Sequence, residues 1–303
     1  MTALPFVDTH LHFWDLERFH YPWLADFPEL ASDYLPGDLL AEVADREPAA
    51  LVHVQAEVDH ALDPVLETEW IAGLADALGP ALPPLVHVAY ADLRAAGLDR
   101  LLERHCAHQI VRGIRQEVWF DPASTRADVP RENMLADPAW AAGLARLPAH
   151  DLSFDLLAWP HQLAQAADVC AAVPDLRVVV DHTGLPPAEE GADLQVWRDG
   201  LRRFAAVVPR SVLKLSAMAF VSPTWTVETV APRVREAIEI FGADRCMFGS
   251  NFPVDRSCAS YDGLWSAYEQ IAGEASPAER SALFSETALR AYRIDPHTSQ
   301  LDR

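Results

Sequence analysis

His10 and His12 stand one residue apart in the apolar run FVDTHLHFWD, residues 6–15, with Asp8 and Asp15 on either side. An imidazole can ligate a metal, carry a proton or hydrogen-bond a carbonyl. The pair therefore admits three readings: a metal site, metal-free catalysis, or a core role. A polar side chain in an apolar strand is costly unless it is paired or functional, so its partners along the chain decide. Such residues recur in short apolar runs: Gln55 and Glu57, His87, Arg112 and Arg115, then His161 in WPHQ. Asp181 and His182 close VVVDH, Lys214 and Ser216 lie in KLS, and Ser250, Asn251 and Asp255 follow CMF. Asp181 has two readings, orienting His182 or taking part in the chemistry. A buried Lys214 is a Schiff-base candidate, but pairing with an acid is the simpler reading. Trp14, Trp23 and Trp119 are candidates to wall a ring-shaped substrate.

The runs that carry these residues read as strands: 6–13, 50–58, 84–91, 110–118, 152–159, 176–184, 212–219 and 246–253. Most are continuously apolar rather than alternating, the pattern of parallel strands covered on both faces. Helical stretches lie between them. Residues 63–79 and 227–242 end in Gly, and 160–174 opens and closes with Pro. Eight strands with interleaved helices predict a (β/α)8 TIM barrel in the α/β class, as one domain spanning 1–303. No Gly-rich phosphate loop follows the first strand, which counts against an open doubly wound sheet. In a barrel these side chains converge at the C-terminal mouth, under the long segments 14–38, 119–136 and 185–194.

A formal net charge of −21 over 303 residues opposes nucleic-acid and anionic membrane partners. No basic segment precedes an apolar stretch near the start, so no signal peptide is expected. Cys106, Cys170, Cys246 and Cys258 form no CxxC pair and read as reduced thiols. The expectation is a cytoplasmic protein acting on a small molecule; a homo-oligomer is compatible with the pattern.

VDTHLHFWD, YPWL (21–24), GIRQ (113–116), VVVDHTG (178–184), KLSAM (214–218) and MFGSNFPVD (247–255) resemble the amidohydrolase superfamily in consistent order. More narrowly they resemble its branch related to sugar-acid and dicarboxylate lactonases. The resemblance implies a (β/α)8 barrel and a hydrolase. It also implies a divalent metal, zinc or manganese, held by His10, His12, His161 and His182, with position 251 beside it. This chain departs from the pattern there, because Asn251 stands where the superfamily has Asp. An amide is no general base near neutral pH, so the base must be another carboxylate: Asp255 first, with Asp181 and Glu57 as alternatives.

Two chemistries follow. In one, the metal activates water. In the other no metal is used, the histidines hydrogen-bond the carbonyl and Arg115 balances the oxyanion. Gln55, Glu57, Trp14 and Trp119 are the expected substrate contacts. The function implied is lactone opening. The alternatives are a metal-dependent decarboxylase of an aromatic or unsaturated carboxylic acid, and a ligand-binding barrel without catalysis.

Overall fold

Alternating β-branched and aliphatic residues divide each strand between two apolar environments. The computed structural model describes residues 5–43, 46–126, 129–222 and 224–295. Among these, eight parallel strands follow one another in chain order: β1 (Val7–Leu11), β2 (Ala50–Val54), β3 (Leu85–Tyr90) and β4 (Val111–Arg115), then β5 (Ser153–Leu156), β6 (Arg177–Val180), β7 (Ser211–Leu215) and β8 (Cys246–Phe248). Each of the eight expected runs carries one strand. Val7, Val52, Val54, Val86, Val88, Val179 and Met247 fill the inside with Tyr292 and Ile294 from the end of the chain. Leu51, Leu85, Ile114, Phe154, Val178 and Leu213 face the surrounding helices. Each buried aliphatic side chain contributes about 1.5–3 kcal/mol, so both faces must be covered for the barrel to close.

The longer helices are Val65–Leu78, Leu98–Cys106, Leu163–Ala171, Ala192–Val207, Val227–Phe241 and Tyr261–Ile271. The helix expected to open at Pro160 begins instead with a 3-10 turn, Pro160–Gln162.

Closure between β8 and β1 rests on a single parallel bridge, Leu11 to Phe252. Asn251 N donates to His10 O at 2.7 Å, His12 N to Phe252 O at 2.8 Å, and Thr9 Oγ1 to Phe248 O at 2.8 Å. In β1 the register shifts between Asp8 and Leu11, so three steps along β1 oppose two along β2. Such a bulge re-aims side chains. Strict alternation would put Asp8 with His10 and His12, but Asp8 instead accepts from Ser250 N at 2.8 Å and Tyr261 Oη at 3.0 Å. It pins the segment after β8 to β1. Burial, only partly offset by these bonds, raises its pKa to about 6.

Candidate active site

Beyond the C-terminal ends of the strands the chain encloses a cavity of about 230 Å³. Seven of the strands deliver side chains to it from just past their last residue or at it: His12, Glu57, Arg115 with Glu117 and Trp119, Leu157, His182, Phe220, and Asn251 with Asp255. The loop after β1 adds Trp23, Phe27 and Glu29, and Arg126 leans in from the loop after β4. Three of the lining residues are held at positive φ: Glu57 at 55°, His182 at 54° and Asn251 at 57°. Left-handed backbone is uncommon outside Gly, and such strain gathers at functional sites.

Asn251 Nδ2 donates to Asp255 Oδ1 at 3.0 Å. Among the described residues Asp255 Oδ2 makes no hydrogen bond of ordinary geometry. Burial lifts the Asp255 carboxyl to about 7, against the smaller pulls of the Asn251 bond and of the Ala219 and Met218 backbone N–H groups. A carboxylate with that pKa is suited to accept a proton at neutral pH. Arg115 donates from Nη2 to Gln55 O at 2.6 Å, and its guanidinium lies 3.6 Å from Glu117 Oε1.

His12 Nδ1 lies 2.8 Å from Val54 O. A carbonyl only accepts, so the proton is on Nδ1 and the Nε2 lone pair is left bare. Burial and the neighbouring Arg115 push the pKa of His12 down to about 3; burial lowers His182 to about 3 as well. His10 sits behind these two, its ring 5.0 Å from that of His12 and 4.5 Å from that of His182. It is buried and its Nε2 has no partner. All three imidazoles are therefore neutral at pH 7.

Not every expected residue joins the cavity. His161 is exposed on its turn. Gln162 turns inward instead: its Oε1 accepts from Trp159 N at 3.1 Å and its Nε2 donates to Val118 O at 2.8 Å. Trp14 is buried behind the wall, bonded through Nε1 to Ser32 O and packed on Trp23 and Tyr34. Gln55 is also buried and does not line the cavity; it binds both the backbone N–H and the carboxylate of Glu57 and so aims that side chain. Burial works to raise Glu57, but the bond and charge from His60 at 3.0 Å, with Arg115, hold it below the usual range. Trp119 does line the cavity, as expected. Arg112 lies at the start of β4, away from the mouth, and donates to Val111 O at 3.0 Å.

Beyond Phe27 and Glu29, further contributors were not singled out from the sequence pattern. Glu117, Phe220 and Arg126 line the cavity, and Glu67 supports it from the helix Val65–Leu78, accepting from Ala56 N at 2.8 Å. Glu67 is an acid at a buried position of a largely apolar helix, a signal the sequence carried; Phe220 and Arg126 depend on loop paths.

Neutral imidazoles are suitable zinc ligands, but the donor set here does not fit a resident divalent cation. Among the described residues no three His, Cys, Asp or Glu side chains are grouped to hold one. His10 Nδ1 faces the Lys214 ammonium at 3.3 Å, His161 is turned away, and Asn251 supplies no charge. Burial most, and then Lys214 and Arg115, lower the pKa values of His10 and His12.

A sequence model of the family described as Amidohydrolase matches residues 7–294. An L-fucono-1,5-lactonase from Burkholderia multivorans is 34% identical over 304 residues, covering 95% of this chain and 96% of that one. A crystal structure of an amidohydrolase from Burkholderia multivorans with bound HEPES superposes with a TM-score of 0.81 at 31% identity, covering 96% of this chain and 100% of that one. A second crystal form, with bound zinc, gives 0.79 at 32% and the same coverage. A probable 2-pyrone-4,6-dicarboxylic acid hydrolase from Acinetobacter baumannii shares the fold, with a TM-score of 0.71 at 16% identity over 96% of this chain and 100% of that one.

Proposed function

The chain belongs to the amidohydrolase family, and from that premise we propose that it is a lactonase opening the ring of a neutral sugar-acid lactone. The observation that carries the reading is Asp255, a buried carboxyl raised to about 7, in one small cavity with Arg115. Asp255 takes a proton from a water oriented with the help of Asn251, and the hydroxide attacks the ester carbonyl. Arg115 offsets the charge of the tetrahedral oxyanion. The ring C–O bond then breaks, and the proton held by Asp255 passes to the leaving alkoxide. His12 and His182, both neutral, hydrogen-bond the substrate rather than carry charge.

The lining favours a neutral polyhydroxy lactone over a dicarboxylate. Glu29, Glu57, Glu117 and Asp255 face two guanidiniums. Arg115 is engaged by Gln55 and Glu117, and Arg126 lies over the rings of Phe27 at 4.9 Å and Trp119 at 5.1 Å. Sugar hydroxyls donate to carboxylates, whereas a dicarboxylate substrate would be repelled. A decarboxylase substrate meets the same repulsion. At about 230 Å³ the cavity is smaller than the ~300–1,000 Å³ of sites for drug-sized ligands and suits a monosaccharide ring.

The test is proton release in weak buffer with neutral aldonolactones and with dicarboxylate lactones, before and after chelation. Turnover of the neutral compounds that survives chelation is expected. Turnover confined to dicarboxylates would overturn the substrate reading, and turnover lost to chelator and restored by zinc would overturn the metal-free one.

A further inference from the structure

Beneath the cavity a fully buried ionic cluster joins four strands. Lys214 Nζ of β7 lies 2.7 Å from Asp155 Oδ2 on β5, 3.2 Å from Asp181 Oδ1 after β6, and 3.3 Å from His10 Nδ1 on β1. An ammonium has three donors and no acceptor; here it hydrogen-bonds Asp155 and His10 and forms an ion pair with Asp181, whose carboxylate oxygens make no hydrogen bond among the described residues. Asp155 is itself held by Tyr292 Oη, near the end of the chain, and by Ser153 Oγ at 3.4 Å. Lys214 therefore pairs with acids, the simpler of the two readings its sequence context allows.

We propose that Lys214 is a positioning residue that fixes the tautomer of His10, leaving the His10 proton on Nε2 and presenting that N–H as a donor toward the cavity. Two neighbours compete for His10 Nδ1. Lys214 can only donate to it and requires a bare lone pair; the Asp181 carboxylate, at 3.5 Å, can only accept and requires an Nδ1–H. Lys214 is closer and is anchored from below by Asp155. The consequence appears at the other ring nitrogen. Nε2 has no partner, and the His10 ring lies against those of His12 and His182, which do line the cavity. His12 offers only a lone pair there, so His10 supplies the neutral donor that His12 cannot. A neutral donor set against His12 and His182 would bear on the substrate carbonyl they face. That kinetic consequence rests on the lactonase reading; the tautomer itself does not.

The experiment is nitrogen NMR of the full chain labelled at histidine, with the His10 signals assigned by their loss in His10→Gln. Wild type is expected to show a protonated Nε2 and a bare Nδ1, and a wild-type Nδ1–H would overturn the proposal at once. The double variant Lys214→Met with Asp155→Asn removes one charge of each sign. In it the proton is expected to move to Nδ1, facing Asp181, while kcat falls about 100-fold, the scale of one lost oxyanion donor, and KM changes less than about threefold. A fall in kcat with the tautomer unchanged, or a changed tautomer with kcat intact, would overturn it. A wild type silent on every lactone but carrying Nε2–H would sink the lactonase reading and leave the Lys214 assignment standing.

Discussion

Two groups of buried histidines occupy this barrel, and they differ in what they face. His10, His12 and His182 gather at the mouth, two of them on the cavity wall. His53 and His87 are register partners on β2 and β3, with Nδ1 atoms 3.0 Å apart. Their strand neighbours Val52, Val54, Val86 and Val88 point inward, so alternation turns both rings outward under the helices. His105, from the helix Leu98–Cys106, bonds Thr68 Oγ1 at 2.9 Å. Burial lowers the pKa in both groups. Both also contain a ring nitrogen without a partner, at His10 in one and at His87 and His105 in the other. Neither a perturbed pKa nor an orphaned atom separates them. The separating features are the cavity, the left-handed backbone at His182 and Asn251, and the carboxylate and guanidinium on the same wall. Buried polarity marks a site only where space for a substrate meets it.

The comparison breaks most sharply at Asp255. Asp255→Asn is expected to lower kcat/KM by about 10³, within the 10²–10⁴ span of a lost general base, measured on a neutral aldonolactone. Without that loss, Asp255 would join the structural group. In wild type kcat/KM should rise about tenfold per pH unit below pH 7 and level off above it, as the carboxyl with a pKa near 7 loses its proton. The sign for stability is opposite. A carboxyl whose folded pKa is raised contributes stability present below its unfolded value, which is lost as pH rises through about 7. Asp255→Asn should therefore gain in melting temperature relative to wild type between pH 4 and pH 8; a constant difference would show that the carboxyl is not held neutral by the fold.

Arg115→Met follows, with an expected loss of about 10²-fold in kcat and a smaller change in KM. A change in KM alone would make Arg115 a ground-state contact. The smallest kinetic effect belongs to the outer layer. His87→Leu leaves His53 Nδ1 unmatched and should cost about 1–3 kcal/mol by denaturant unfolding. Its kcat/KM should stay within about threefold of wild type. A large kinetic loss without a stability loss would erase the distinction between the two groups. His53→Leu with His87→Leu removes both members, so the stability cost should be smaller than that of His87→Leu alone.

His87 illustrates why one-dimensional reading overshoots. In sequence it looks like one more polar residue at a strand end, but its register with His53 puts it mid-strand and facing out. His161 fails for another reason. WPHQ has two polar residues, and the capping bonds of the turn select Gln162 for the inside. His12, His182, Asn251 and Asp255 were legible because each lies just past an apolar run whose direction the barrel dictates. Trp14 and Trp23 could not be told apart, since the path of the loop between β1 and the helix Pro36–Val43 decides which ring reaches the cavity.

The sequence by itself determined the barrel: eight apolar runs separated by helices can bury both faces of a parallel sheet in few other ways. It also determined that an amide, not a carboxylate, occupies position 251. Only the tertiary structure decided that Asp255 and not Asp181 lines the cavity, which Trp faces it, and that Lys214 meets His10, Asp155 and Asp181. Strand direction is a local consequence of side-chain pattern. Pairings across β1, β5, β6 and β7 depend on register and on a bulge in β1, which no local pattern encodes.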